Sequence, residues 1–575
     1  MAKAGRRRAP LVRSLPIGYL VFALVLAVVL LPTALRPPQD EQSTSAAFSP
    51  DAPPDDTPPE SLLSTLRQAR SSTAGAAEVA LEEEEEELAL PPPPPPPRRR
   101  ASRDGCFGDP PRQTESLYSA LCVPAWVPPP EGNGGKTWNG VYPDEIRIAL
   151  AVSLESDTPD GPLSREFSDA DTPEMHDLKV WQTYFNERFE TYGRYIQFYT
   201  LRQSTTNANQ QRASVQMAKD NWDVFAMIGN SPDAVLEALR LGIMDFGSSN
   251  NPVPFYNEHF PLAYAFNMDS WQTRYMGTEL VCKHYGGKPP GELNERMDEV
   301  MAQSGAYDKP RVFGLVSYQD GTRTGATTMI KELLARCGVE IKAAQEYNLT
   351  SNQQGLGGVM SKFRAEGVTT VILNVDGITP TLLTEEADRQ SYFPEYVHTG
   401  TGEMDSAATG RLMNDRQARH VVGLSPNEIP RHDEDKDWYR AYKEVDPEGE
   451  PEVDYFRSLQ QFVGGLQMAG PNLNPTTFWQ GLSRQPYRAP NPEWSIGGGY
   501  RESFGFIAYK DLTYEDYMSL IWFDQNRKAD GEDLVGAWCH MFNGRRFKVG
   551  ELPAEPLPFR DPSQCIISPP RGDQG

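Results

Sequence analysis

Signatures of chemistry are what this chain lacks. No HExxH, P-loop or GxSxG elbow occurs in its 575 residues, and no GxGxxG directly follows the first strand-like run. Zinc hydrolysis, nucleotide hydrolysis, α/β-hydrolase chemistry and dinucleotide binding therefore lose their usual carriers, and no cofactor is expected. Seven histidines (His176, His259, His284, His398, His420, His432 and His540) are scattered without ligand spacing. Only His398 falls at a predicted strand end near a candidate cleft, where a structural role competes with a functional one. Positive charge is also short. Against 79 Asp and Glu stand 55 Lys and Arg, a net charge of −24, which disfavours nucleic acid as a partner. Cysteine is sparse, six in all with no CxxC, so metal ligation by cysteine pairs has no support. Acids are too numerous for any pair to be singled out as general acid and base.

What is present begins with a basic N-terminus, Lys3, Arg6, Arg7, Arg8 and Arg13, followed by an apolar run over residues 15–35. That run is long enough to span a bilayer, with residues 1–14 held on the cytoplasmic side by their charge. A single-pass anchor with the rest of the chain outside the cell is the expectation. A cleaved signal peptide is the competing reading, but its small-residue site, Ser45-Ala46-Ala47, lies far downstream. No cysteine follows the run to carry a lipid. Residues 36–100 read as a disordered stalk rich in Pro and acid, with Glu82 to Glu87, then Pro91 to Pro97, then Arg98 to Arg100. Too little apolar surface is available there to offset chain entropy, and the proline run favours stiff polyproline II.

Residues 101–142 form a cysteine-containing extension. From residue 143 the pattern alternates between short apolar runs and helical spacing. Strands are expected at 145–152, 195–201, 224–228 and 262–267, with helices at 172–189, 207–220 and 234–241 between them. A second series follows, with strands at 311–318, 339–347, 369–375 and 396–399 and helices at 271–285, 324–337, 353–366 and 379–389. The same unit is thus spelled twice, at 143–268 and 269–419. Residues 420–486 carry a strand and two helices read as return segments, and 487–575 read as a β-rich C-terminal extension. Alternation of this kind predicts α/β architecture with largely parallel sheets covered on both faces. In the oxidising compartment implied by the anchor, the cysteines are expected to pair in sequence order: Cys106 with Cys122, Cys282 with Cys337, and Cys539 with Cys565. Reduced buried thiols remain an alternative for Cys282 and Cys337.

The stretch VFAMIGNSPDAVLEALRLGIMDFGSSNNP, residues 224–252, organises the rest. Strand, tight loop, helix and strand succeed one another, with small hydroxyl residues where each strand runs out. Ligands of open α/β sheets bind outside those strand ends. Ser231-Pro232 suits a helix start, with Ser as cap and Pro first in the helix.

The ordered series EIRIALAV, VFAMIGNSPDAVLEAL, MDFGSSNNP, AYAFNMDSWQ, RVFGLVSYQDGTRTG, TTVILNVDG and HTGTGEMDS resembles the type I periplasmic-binding-protein fold. Within it, the likeness is to the branched-chain amino-acid-binding group of ABC-transporter substrate-binding proteins, in a membrane-anchored, actinobacterial-like variant, over residues 142–486. The resemblance implies two lobes, each a mainly parallel sheet flanked by helices, closing on a small polar ligand by hinge motion. It implies that Ser231, Ser248, Ser249 and Asn250 meet a ligand carboxylate. Glu403 and Asp405, with Asp376 behind them, would meet its ammonium, and Tyr318 would cover it. Each residue has a plainer alternative: helix cap for Ser231, turn formers for Ser248 and Ser249, solvated acids for Glu403 and Asp405, core aromatic for Tyr318. The chain departs from the family pattern at Thr324, where a tyrosine is usual, at Asn267, where an arginine is usual, and in its anchor and stalk. Three functions follow in order: a solute-binding protein for an amino-acid-like ligand, working with an ABC permease or in sensing; a cell-envelope interaction module keeping the same scaffold; and, last, an enzyme.

Overall fold

In a computed structural model of the chain, the described residues are 106–569 without 154–163, 166–172, 205–206, 248–250, 290–308, 320–324, 349–355, 401–403, 452–454, 492–494, 504–508, 531 and 533. The apolar run at 15–35 and the stalk lie outside them. Among the described residues no helix is long and apolar enough to cross a membrane.

The first lobe is built from β1 (Glu145–Ser153), β2 (Ser164–Arg165), α1 (Pro173–Arg188), β3 (Tyr195–Gln203), α2 (Ala208–Trp222), β4 (Ala226–Ile228), α3 (Pro232–Arg240), β5 (Met244–Phe246), α4 (Val253–Glu258) and β6 (Ala263–Tyr264). The second contains α5 (Ser270–His284), β7 (Phe313–Tyr318), α6 (Ala326–Ala335), β8 (Ile341–Tyr347), α7 (Val359–Ala365), β9 (Thr370–Asn374), α8 (Thr379–Arg389), β10 (Glu395–His398), α9 (Ala407–Leu412), α10 (Asp415–Ala418) and β11 (Val421–Ser425). The chain then returns as α11 (Asp437–Val445), α12 (Phe456–Ala469) and α13 (Pro475–Ser483) before β12 (Met518–Asp524), β13 (Ala537–Met541), β14 (Arg546–Phe547) and β15 (Cys565–Ile566).

Two separate sheets result. One runs β2-β3-β1-β4-β5-β6 and the other β15-β13-β12-β11-β10-β9-β7-β8, with β14 on β12. Leaving aside the two-residue β2, the first five strands of each lobe have the same order. The opening strand is central, the second lies to one side, and the third, fourth and fifth lie to the other, all parallel. The C-terminal strands do not stand apart as an extension. β12 pairs antiparallel with β11, and β13 and β15 continue the second sheet.

Strand alternation sorts the cores. In β1, Ile148 and Leu150 turn to one face and Ala149 to the other, as a period of two requires. The first face meets the returning helices, where Phe462 packs 5.3 Å from Phe246 and 5.1 Å from Phe478 between ring centroids. In the second lobe, Phe313 and Leu315 of β7 face one cluster and Val316 faces another. At the base of this lobe Arg311 and Glu395 form a buried two-point ion pair.

Three segments join the lobes: residues 265–269, 426–436 and 484–517. The first and third pair with each other, Ala265 N–H donating to Leu512 C=O at 3.1 Å and Glu515 N–H to Phe266 C=O at 3.0 Å. Disulfides join Cys106 to Cys122, Cys282 to Cys337 and Cys539 to Cys565. The second therefore fastens α5 to the end of α6, and the third ties β13 to β15.

Candidate functional site

In a sheet ordered this way, the connections leave the central strand in opposite directions, and ligands bind in the crevice where they part. That point falls at the carboxyl ends of β1 and β4 in the first lobe and of β7 and β9 in the second. The first crossing leaves its lobe at the carboxyl end of β6, and the second leaves at the carboxyl end of β11. Both handovers thus start from the carboxyl edges, so these edges lie on the side where the lobes connect.

In the first lobe, Gly229 takes a left-handed φ of +81°, which turns the chain sharply off β4; a Cβ there would also meet the Ala151 carbonyl oxygen at 3.3 Å. Asn230 Nδ2 donates to Asp245 Oδ1 at 2.7 Å, and its Oδ1 accepts from Gln203 Nε2 at 3.2 Å. Gln203 Oε1 accepts the Ser231 N–H at 3.0 Å, and Gln211 Oε1 the Asp233 N–H at 3.1 Å. Pro232 has no N–H to offer. The Ser231 and Asp233 amides, which could otherwise draw an anion, are thus already committed. The Ser231 hydroxyl is different. It occupies the cap position, is half-buried, and makes no capping hydrogen bond.

In the second lobe, Tyr318 ends β7 half-buried, its ring 5.6 Å from Tyr347. Asp376 follows β9, but its four acceptor positions are in use. Oδ1 accepts from Ile378 N–H (2.8 Å) and Thr379 N–H (3.0 Å), while Oδ2 accepts from Thr379 Oγ1 (2.6 Å) and the Tyr347 hydroxyl. Burial and the adjacent Asp376 push the Tyr347 phenol up, keeping it a proton donor. Asp376 therefore acts first as the start signal of α8.

Asp405 follows β10. Asn427 Nδ2 donates to its Oδ1 at 2.9 Å; Oδ2 is buried and has no well-aligned hydrogen bond among the described residues, with the equally buried Ser425 hydroxyl beside the carboxylate. Burial raises this carboxyl above its ordinary value, while Ser425, Asn427 and nearby backbone N–H groups act to lower it. The carboxylate is thus partly satisfied from within and keeps an acceptor position on Oδ2. His398 is fully buried beside Trp538, 5.3 Å between rings, and burial pushes it down to about 3. It is a neutral packing residue. Gly423 on the neighbouring strand makes room for it, since a Cβ there would come within 2.1 Å of its ring.

Ser231, Tyr318 and Asp376 thus stand at the two points where the connections part, and Asp405 one strand further along. Ser248, Ser249, Asn250 and Glu403 lie outside the described residues. Sequence reasoning passed over Tyr455, just before α12. Its hydroxyl reaches the Ala151 carbonyl at 3.4 Å, and its ring edge lies 3.9 Å from where a Gly229 Cβ would sit. An aromatic immediately ahead of a returning helix was the available signal. Among the described residues no group of three or more His, Cys, Asp or Glu could hold a metal ion.

No protein-family model and no curated protein matches the chain. Solved structures similar to it include substrate-binding proteins of ABC transporters and other periplasmic binding proteins. One, from Rhodopseudomonas palustris in complex with 4-hydroxybenzoate, has a TM-score of 0.46 at 13% identity over 72% of this chain and 98% of its own. A fatty acid ABC transporter substrate-binding protein from Thermomonospora curvata has a TM-score of 0.47 at 11% identity over 74% and 97%. A periplasmic binding protein type 1 from Bordetella pertussis has a TM-score of 0.45 at 14% identity over 67% and 98%.

Proposed function

We propose that the chain is an extracytoplasmic solute-binding protein that holds a small polar, amino-acid-like ligand between its lobes, for ABC-type uptake or for sensing. The observation that carries this reading is the repeated strand order with both carboxyl edges on the connecting side. Ser231 offers a hydroxyl without a capping bond from one lobe, and Asp405 a carboxylate with an acceptor position left on Oδ2 from the other. A ligand ammonium would add a charged donor to the Asn427 and Ser425 groups already beside Asp405 and hold its proton off. The ligand carboxylate would be met by the Ser231, Ser248 and Ser249 hydroxyls and the Asn250 side-chain amide, because the Ser231 and Asp233 amides are taken. Glu403 and Tyr318 would line the second side. Asp376, with every acceptor position used, would hold the loop in place behind them. The apolar run at 15–35 supports attachment to the membrane with the lobes outside.

A calorimetric and thermal-shift screen of amino acids, amides and small organic acids against the full-length protein tests the reading. Binding by a zwitterion that is lost in Asp405→Asn and weakened in Ser231→Ala is the expected result. A well-folded protein that binds no member of any class refutes it. The commitment of Asp376 and of the Ser231 and Asp233 amides favours a second reading, a cell-envelope interaction module on the same scaffold. Pull-down from solubilised membranes separates the two, a permease being captured under the first and envelope assembly proteins under the second.

A further inference from the structure

The segment closed by the Cys106–Cys122 disulfide does not merely lie on the first lobe. Its backbone is fastened to α12, with Gln461 Nε2 donating to Tyr118 C=O at 2.7 Å and Gln467 Nε2 to Leu121 C=O at 2.7 Å. From that platform the buried Tyr118 side chain reaches both of the later crossings. Its hydroxyl donates to Glu428 Oε1 at 2.5 Å in the second and accepts from the Ile496 N–H at 2.9 Å in the third. These partners stand 310 and 378 positions away in sequence.

Glu428 occupies a particular place. The two residues before it are held by the second lobe, since Arg546 on β14 donates through Nη1 to Pro426 C=O at 2.9 Å and through Nη2 to Asn427 C=O. Glu428 itself is held by the first lobe, through Arg457 on α12 and through Tyr118, with Arg431 of the same crossing 3.3 Å away. Burial alone would raise this carboxyl, but Arg457, Arg431 and the Tyr118 hydroxyl hold it below its ordinary value, so it is ionised opposite the two guanidinium groups. The handover between the lobes' anchoring arginines therefore falls at the junction of Asn427 and Glu428. A rotation of one lobe against the other must be absorbed by backbone torsions at such a junction. A cavity of about 390 Å³, lined by Leu117, Tyr118, Arg431 and Asp437 among others, leaves room beside it for rearrangement.

We propose that residues 106–122 are a hinge clamp, in which Tyr118 is the positioning residue that couples the second and third crossings through Glu428 and so sets the angle between the lobes. Coupling two of the three crossings to one phenol makes their torsions move together. It also ties lobe opening to an element that contributes nothing to either sheet. The proposal rests on the two-lobe reading above but not on any ligand.

The test measures the distance between the lobes in the full-length protein without ligand. All native cysteines are in disulfides, so thiol labels attach only to Leu236→Cys on α3 and Lys342→Cys on β8, both exposed. Pulsed electron-spin distances are compared in this background and after Tyr118→Phe. The expected result is a broadened distribution or a second population absent from the parent. Glu395→Gln, which strands the buried Arg311 of the second lobe and touches no crossing, should lower the melting temperature and leave the distribution unchanged. Should Tyr118→Phe fail to fold, Glu428→Gln takes its place, with the same broadening expected. A folded variant whose distribution superimposes on the parent overturns the proposal, as does a Glu395→Gln distribution that changes equally. A ligand screen without hits would leave these distances untouched, so the two failures are distinguishable.

Discussion

The ion pair beneath the second lobe offers the most quantitative test. Glu395 accepts from Arg311 Nε at 2.6 Å, Arg311 Nη2 at 2.9 Å and Thr370 Oγ1 at 2.8 Å, with both charged side chains at most 1% exposed. Glu395→Gln keeps the volume but leaves a buried guanidinium without a counter-charge. Removing one partner of such a pair costs about 3–5 kcal/mol. Arg311 keeps some support: Nη1 donates to the Lys288 and Pro289 carbonyls at 3.0 Å each, and the Tyr285 ring lies 4.8 Å away. The loss should therefore fall toward the lower end, about 3 kcal/mol, a drop of roughly a hundredfold in the folding equilibrium. Replacing both partners by apolar residues of similar size, Arg311→Met with Glu395→Leu, removes the stranded charge and should recover most of that loss. Urea unfolding of the three proteins, followed by tyrosine and tryptophan fluorescence, measures the order. A Glu395→Gln protein within about 1 kcal/mol of the parent would refute the reasoning. So would a double variant no better than the single.

Four further outcomes are expected. Ser231→Ala should change stability by less than about 0.5 kcal/mol, where a capping serine would cost about 1 kcal/mol, because no capping bond is lost; thermal unfolding decides it. Asp376→Ala, which strips the start of α8 of its acceptor, should cost about 1–2 kcal/mol with or without ligand, as read by chemical denaturation. Gly229→Ala, forced to φ +81° against the Ala151 carbonyl, should destabilise by about 1 kcal/mol or more in the same measurement. Burial raises Glu515 from 4.5 to about 8. The folded chain thus keeps a proton that the unfolded chain releases between those values, and this group's contribution to stability falls as pH rises through that window by up to about 1.4 kcal/mol per unit. Glu515→Gln should remove that slope, and equal slopes in parent and variant between pH 5 and 8 would count against it.

The alternation of 2- and 3.6-residue periods was enough to find the longer strands and helices of the two repeated units, though not the short β2, α4, α9 and α10, because burial on one or both faces writes itself into neighbouring residues. The helix expected at 271–285 is observed at Ser270–His284, and the strand expected at 311–318 at Phe313–Tyr318. Local chemistry was also available for Asp376: Asp-Gly-Ile-Thr-Pro is the pattern of a carboxylate that collects amides two and three residues on, and a reading for ligand acids passed it by. The tail at 487–575 was read as an extension because its strands carry no αβ alternation. They are antiparallel additions to an existing sheet, so the crossover helices that mark parallel strands are absent. Tyr118, Glu428 and Ile496 could not be joined from sequence. Their proximity depends on three segments more than 60 residues apart meeting on one side of the fold, which no local period encodes.

The first core cluster draws on residues from Tyr118 to Phe266 and again from Ala441 to Tyr514, with the second lobe's first eleven elements between them. Neither half of the molecule is a continuous piece of chain. During synthesis the early strands must wait, with one face covered only by α1, until Phe462 and Phe478 have left the ribosome and can cover Phe246. The second lobe is likewise open along β11 until β12 arrives. No single cut in the polypeptide yields a half with its own complete interior, and a stop near residue 430 would release a first sheet without its returning helices and a second sheet without β12, β13, β14 and β15.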